Sequence, residues 1–419
     1  MTTPRPAPHS SVPPSRTRAA VDTLESLDSP HSVSSSTRSD GEDTDTGSAE
    51  APSAIHPARG RSGVSPRLIW MIPAGLALLA GLNAGLLLLG VWAPVSAERL
   101  PDIHGMLLVL GFIGTLISLE RATAYGRWYG FVAPALLGLG AILLTATPVP
   151  IAVGQTVLIL GAAAFMLLYL PLWRRNYDPT VLTQLLATGL VLASAILWRG
   201  GATIPQTLPW LIGFIVLTIA AERVELARIS MGATAGRNVL IHGWAVTGAL
   251  VVGLVLPDAG AILLGLSLVS LTAWLVRHDV ARRTINSTGV TRYMAACILA
   301  GYVWLAVAAV ALLFGAPVEG VIYDATIHAV FLGYTFSMIM AHSTTILPAV
   351  LGIRLPFNAA FWAPAALLQV ALVIRLWIGD GLNQPWALQL GGVLGVAALL
   401  LFLITAVTTA IRASLKDRP

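Results

Sequence analysis

Twelve segments of this chain are each long and apolar enough to cross a bilayer, and almost nothing charged interrupts them. A helical span needs about 20 mostly apolar residues. The segments fall at roughly 68–93, 103–120, 128–147, 151–173, 179–198, 208–222, 238–256, 260–276, 293–314, 324–347, 358–378 and 385–411. Uninterrupted apolar runs of this length read as helices. The expected fold is therefore all-α, a polytopic membrane bundle of about twelve transmembrane helices. Composition agrees: only 11% of residues are charged, against about 25% in soluble domains.

The domain plan follows. Residues 1–64 are rich in Ser, Thr, Pro and acidic residues, including the run Ser39-Asp40-Gly41-Glu42-Asp43-Thr44-Asp45. Such a stretch cannot bury enough apolar surface to fold, so a disordered cytoplasmic tail is expected there. It has no apolar core of the kind a signal peptide needs. Residues 65–411 form the twelve-helix transmembrane domain, and 412–419 a short cytoplasmic tail.

A formal charge of +5 invites a nucleic-acid partner, but the distribution of the charge argues against one. With the N-terminus in the cytoplasm, Arg121, Arg127, Arg174, Arg175, Arg223, Arg228, Arg237, Arg277, Arg282, Arg283, Arg292, Arg354 and Arg412 all fall inside. Arg99 and Arg199 fall in outer loops, and Arg375 near the outer end of span 11. This is the positive-inside pattern, so the expectation is a multi-pass cell-membrane protein with both termini cytoplasmic and lipid as its surroundings. One cysteine, Cys297, excludes an intrachain disulfide, an iron–sulfur cluster and a thiolate zinc site.

Spans 2 and 6 share a pattern. Gly111-Phe112 is followed at nine residues from the glycine by Glu120-Arg121, and Gly213-Phe214 at the same spacing by Glu222-Arg223. Span 10 has Gly333-Tyr334 and, nine residues after the glycine, His342. Helices four apart in order suggest three parallel four-helix repeats, and membrane repeats often place a site at their interface. The plainer reading of each Glu-Arg pair is an interfacial anchor whose arginine snorkels to water.

Four histidines lie in spans: His104, His242, His328 and His342. An ionisable residue inside the membrane is costly and marks a site by default, although a hydrogen-bonded packing role is the ordinary alternative for any one of them. His104 and His328 both lie within about two turns of the outer surface. A histidine pair at matched depth on facing helices is what axial ligation of a b-type haem (heme b) requires. The propionates would need cations, for which Arg375 and Arg99, with Arg199, are the outer candidates. His342 lies about 21 Å further in than His328 at 1.5 Å per residue. It shares the inner layer with His242, Glu120 and Glu222, groups that suit a second metal site or a proton path.

The run His328-Ala329-Val330-Phe331-Leu332-Gly333-Tyr334-Thr335-Phe336-Ser337-Met338-Ile339 resembles the tenth-span signature of NnrS proteins. His104-Gly105-Met106-Leu107-Leu108-Val109-Leu110-Gly111-Phe112 resembles their second-span histidine segment, with a different spacing to the Gly-Phe. NnrS proteins are haem- and copper-containing membrane proteins associated with nitric oxide metabolism. The architecture is also similar to the catalytic subunit of haem–copper oxidases and nitric oxide reductases, with ligating histidines on spans 2 and 10. The resemblance implies haem ligation by His104 and His328, copper as a further metal, and a redox partner. It also implies propionate binding near the outer end of span 11, where Arg375 stands. The close histidine pair of the oxidases on span 10 has no match, nor has the histidine set of their copper site. A single haem serving electron transfer, gas sensing or haem handling fits better than a binuclear centre. A twelve-helix secondary transporter of a small solute is the competing expectation. A membrane anchor for a soluble partner is a third, and it leaves the span histidines unexplained.

Overall fold

In the computed structural model residues 69–416 are described, so the expected tail over 1–64 lies outside them. The described residues are helical with no strand. Twelve long helices run in order: α1 Met71–Leu88, α2 Arg99–Tyr125, α3 Trp128–Thr145, α4 Ile151–Asn176, α5 Pro179–Arg199, α6 Ile204–Leu226, α7 Ala235–Gly253, α8 Pro257–His278, α9 Gly289–Leu312, α10 Gly320–Leu351, α11 Ala359–Gly381 and α12 Pro385–Lys416. Two single turns, Arg228–Met231 and Ala281–Thr284, sit in the connections.

Eleven of these helices, among the described residues, are long and apolar enough to cross a membrane. The exception is α7, where Arg237, Asn238 and His242 cluster in the first half and lower the hydropathy. The chain is a multi-pass helical membrane protein. Its final helix continues through Lys416, so residues 412–416 extend α12 where a separate tail was expected. A basic last turn suits the negative end of the helix dipole.

Local sequence sets the helix ends. Asp178 accepts a hydrogen bond from Thr180 N at 2.9 Å, with Pro179 opening α5. Thr203 and Gln206 form a reciprocal capping box on α6. Gly126 ends α2 with φ of 74°, a left-handed conformation that glycine adopts without strain. Exposed Trp92, Trp377 and Trp386 mark one end of the bundle, and exposed Trp128, Tyr129 and Tyr177 the arginine-rich end, as interfacial aromatics do.

Helices adjacent in order pack together, α1 closes against α12, and α10 packs on both α2 and α6. The most buried windows are those of α2, α6 and α10, at 72, 72 and 61%. The three helices that carry the recurring Gly-aromatic pattern are thus the centre of the bundle. Three helices also switch to π-helix: Leu107–Gly114 in α2, His328–Tyr334 in α10 and Val373–Gly381 in α11. Such segments are rare and concentrate at functional sites.

Candidate functional site

His104 and His328 line one cavity of about 650 Å³ at the arginine-poor end, with α1, α2, α6, α10, α11 and α12 contributing to its wall. The wall is largely aliphatic and aromatic, broken by Asp102, Asp324, Arg375 and the two imidazoles. Size and composition are those of a small-molecule or cofactor site.

Each imidazole is held at Nδ1. In α2, His104 Nδ1–H donates to the Gly81 carbonyl of α1 at 2.7 Å. In α10, His328 Nδ1–H donates to the Asp324 carbonyl at 3.0 Å, and its Asp324 Oδ1 lies at 3.1 Å. Donation at Nδ1 leaves the lone pair on Nε2, and among the described residues neither Nε2 has a hydrogen-bond partner. This is the tautomer of a histidine that ligates through Nε2 while an outer acceptor fixes the ring. Gly85 makes the position of His104 possible, because a Cβ there would lie 3.1 Å from the ring carbon Cε1.

Arg375 also lines the cavity, but it is not free. Its Nε and Nη2 donate to Asp324 Oδ2 and Oδ1 at 2.8 and 2.7 Å, a bidentate pair between α11 and α10. Asp324 therefore orients His328 and neutralises Arg375 at once. Nη1 keeps its donors, backed by Gly392, whose added Cβ would lie 2.8 Å from it. Arg99 does not line the cavity. Its guanidinium donates to the carbonyls of Ala146 and Val149 at 3.0 and 2.9 Å, and to Leu144 and Thr147 at 3.4 and 3.3 Å. It satisfies the orphan carbonyls at the end of α3. Arg199 is exposed and lies outside the lining as well.

The inner layer is not the site expected from depth. His342, His242 and Glu120 belong to three separate networks. His342 is committed at both nitrogens: Nδ1–H donates to the Met338 carbonyl at 2.8 Å, and Nε2 accepts from Arg223 Nη1 at 2.8 Å. His242 bonds the Asn238 carbonyl at 2.8 Å and Ser270 Oγ at 3.2 Å, at the half-exposed edge of α7. Glu120 pairs with Arg121 at 3.2 Å. Among the described residues no three His, Cys, Asp or Glu side chains form a group able to hold a metal ion.

Arg223 does not snorkel. It is 5% exposed and makes a bidentate pair with Asp279, at 3.0 Å from Nε and 2.8 Å from Nη2. Tyr302 donates to Asp279 Oδ2 at 2.6 Å, and the Ala281 amide to Oδ1 at 2.9 Å. Burial alone would raise the Asp279 carboxyl, but the hydrogen bonds and charge of Arg223, with Tyr302 and Ala281, outweigh it and hold the group below the usual carboxylate range. This clamp ties α6, α9 and α10 to the turn after α8. Nothing in the spacing of Asp279, which follows Arg277 and His278 at the end of α8, marks it as the partner of Arg223; only the i, i+4 spacing of Asp324 and His328 is a visible signal for any of these partners.

A family model described as a domain of unknown function, DUF8744, matches residues 67–411. The chain belongs to the DUF8744 family. The match begins ahead of α1 and ends within α12, so it takes in the cavity and the Arg223 clamp. Comparison with curated proteins finds no match to this DUF8744 chain.

Proposed function

We propose that this DUF8744 protein is a haem-binding integral membrane protein, its haem ligated by His104 and His328 in the cavity at the arginine-poor end. One observation carries the reading: two imidazoles from facing central helices, each anchored at Nδ1 and unpartnered at Nε2, line the same 650 Å³ cavity. The residues fit the group. Two Nε2 atoms would ligate iron, and Arg375 Nη1 would meet a propionate. When bound, haem supplies one-electron redox chemistry. The protein's own share is to fix both rings through Gly81 and Asp324, and to exclude water with the aliphatic wall. Copper has no ligand set in this reading, since among the described residues no three His, Cys, Asp or Glu side chains form a group able to hold a metal ion. A cell-membrane location with both termini cytoplasmic, a redox partner, and a role in electron transfer or nitric oxide metabolism rest on the arginine distribution and the NnrS resemblance.

The test is haem stoichiometry of the purified chain. One haem per chain is expected, falling to a small residue in His104→Ala and in His328→Ala. A stoichiometry that neither substitution changes ends the reading. A second reading, a transporter of a small solute, is favoured by the π-helical segments of α2, α10 and α11, since transporters use interrupted helices around their sites. Solute uptake by haem-free proteoliposomes would support it.

A further inference from the structure

At the arginine-rich end, three carboxylates converge on one guanidinium. Arg121 of α2 donates through Nη2 to Glu120 and to Glu222 of α6, both at 3.2 Å, and through Nη1 to Glu225 at 3.4 Å. The side chains of Arg121, Glu222 and Glu120 are only 11, 16 and 24% exposed, while Glu225 is 42% exposed. Three negative charges against one positive leave an excess of two. The neighbouring Arg223 does not relieve it, because its charge is already matched by Asp279. A desolvated carboxylate without a counter-charge is not stable; it acquires a cation or a proton.

A metal cation is disfavoured by the geometry. Arg121 itself occupies the point of convergence, and the carboxylates form no group able to hold a metal ion. Hydroxyls around Glu222 point to a proton instead. Tyr169 of α4 is 0% exposed and its hydroxyl has no partner; its charged neighbours are Arg121, Glu222, Glu120 and Glu225. Tyr334 of α10 is equally buried and unpartnered, with Arg223, Glu222 and Asp279 around it. Thr218, four residues before Glu222 and so on the same face of α6, has a buried, unpartnered Oγ1. A buried polar group without a partner asks for one, and a protonated carboxyl or a bridging water supplies it.

We propose that Glu222 and Glu120, bridged by Arg121, form a proton-binding site that exchanges with water at the arginine-rich face through Glu225. The proton adds to a carboxylate oxygen and returns to water, with no redox step. Tyr169 of α4 and Tyr334 of α10 have Glu222 among their charged neighbours and make no direct hydrogen bond to it, so a bridging water would complete the link. His342 stays outside the site, being bonded to Arg223. The site is independent of whether the cavity holds haem.

Infrared spectroscopy of the full chain in lipid nanodiscs, in H₂O and D₂O, tests this. At neutral pH the C=O stretch of a protonated carboxylic acid is expected, downshifted in D₂O. It should be lost in Glu222→Gln or Glu120→Gln, displaced in Tyr169→Phe, and kept in Asp380→Asn, which alters a carboxyl at the opposite, arginine-poor end of the bundle in α11. No such band at neutral pH, or a band unchanged in both Glu222→Gln and Glu120→Gln, overturns the proposal. If the glutamine variants fail to accumulate, Tyr169→Phe decides: a displaced band supports the site and an unmoved one refutes it.

Discussion

Asp279→Ala removes the acceptor at the centre of the inner clamp. The wild-type carboxylate takes hydrogen bonds from Arg223 Nε and Nη2 at 3.0 and 2.8 Å, from Tyr302 at 2.6 Å and from the Ala281 amide at 2.9 Å. Without it Arg223, 5% exposed, keeps only neutral partners, chiefly His342 Nε2. Breaking a buried pair from one side costs about 3–5 kcal/mol, because the remaining charge has no partner. Asp279→Asn keeps the shape and part of the hydrogen bonding and should lose less. The double variant Arg223→Met/Asp279→Leu should lie closer to wild type than Asp279→Ala, since apolar side chains of similar volume replace a buried pair at little cost. Unfolding in mixed micelles, followed by tryptophan fluorescence at neutral pH, measures all three. The sign with pH is fixed as well. A carboxyl held below its ordinary value stabilises fully above about pH 4 and loses that contribution as pH falls through the lower folded value. The gap between wild type and Asp279→Ala should therefore close in acid. An Asp279→Ala protein within about 0.5 kcal/mol of wild type at neutral pH, the range of an ordinary surface change, refutes the reasoning.

Two further outcomes concern the cavity. Gly85→Val should lower haem content at least about tenfold, equivalent to about 1.4 kcal/mol, because its Cβ would lie 3.1 Å from the His104 ring. Gly75→Val in the same helix has no atom within 4 Å of its Cβ and should leave haem content unchanged. In the haem-free protein Asp324→Ala strands Arg375, which is 8% exposed, and should cost about 3–5 kcal/mol of stability in the same unfolding assay. His328 should still bind in that variant if it folds, since its backbone acceptor at 3.0 Å remains.

Hydropathy made the helices legible, because lipid and backbone together leave a long apolar run little choice but a helix. The segments read at 128–147 and 179–198 coincide closely with Trp128–Thr145 and Pro179–Arg199. The weakest helix by composition, α7, is weak for a visible reason, the Arg237-Asn238 pair and His242. The site was legible only along one axis. Counting residues from a helix end fixes depth, and depth grouped His104 with His328 and also His342 with His242 and Glu120. Lateral position comes from packing between helices, which no spacing within one helix reveals. So the first pair shares a cavity while the second group is scattered over three networks. The partners of the buried arginines were hidden for the same reason. Asp324 and Arg375 stand 51 residues apart, and Asp279 lies beyond the end of its helix among Arg277, His278 and Arg282, where charges are ordinarily solvated.

In the proposed function His104 and His328 ligate one haem. The most direct measurement is the visible spectrum of the protein purified in mild detergent, oxidised and after dithionite reduction. A Soret band with sharp reduced α and β bands is expected, lost in His104→Ala and in His328→Ala. A preparation that is colourless and stays colourless after haem addition contradicts it.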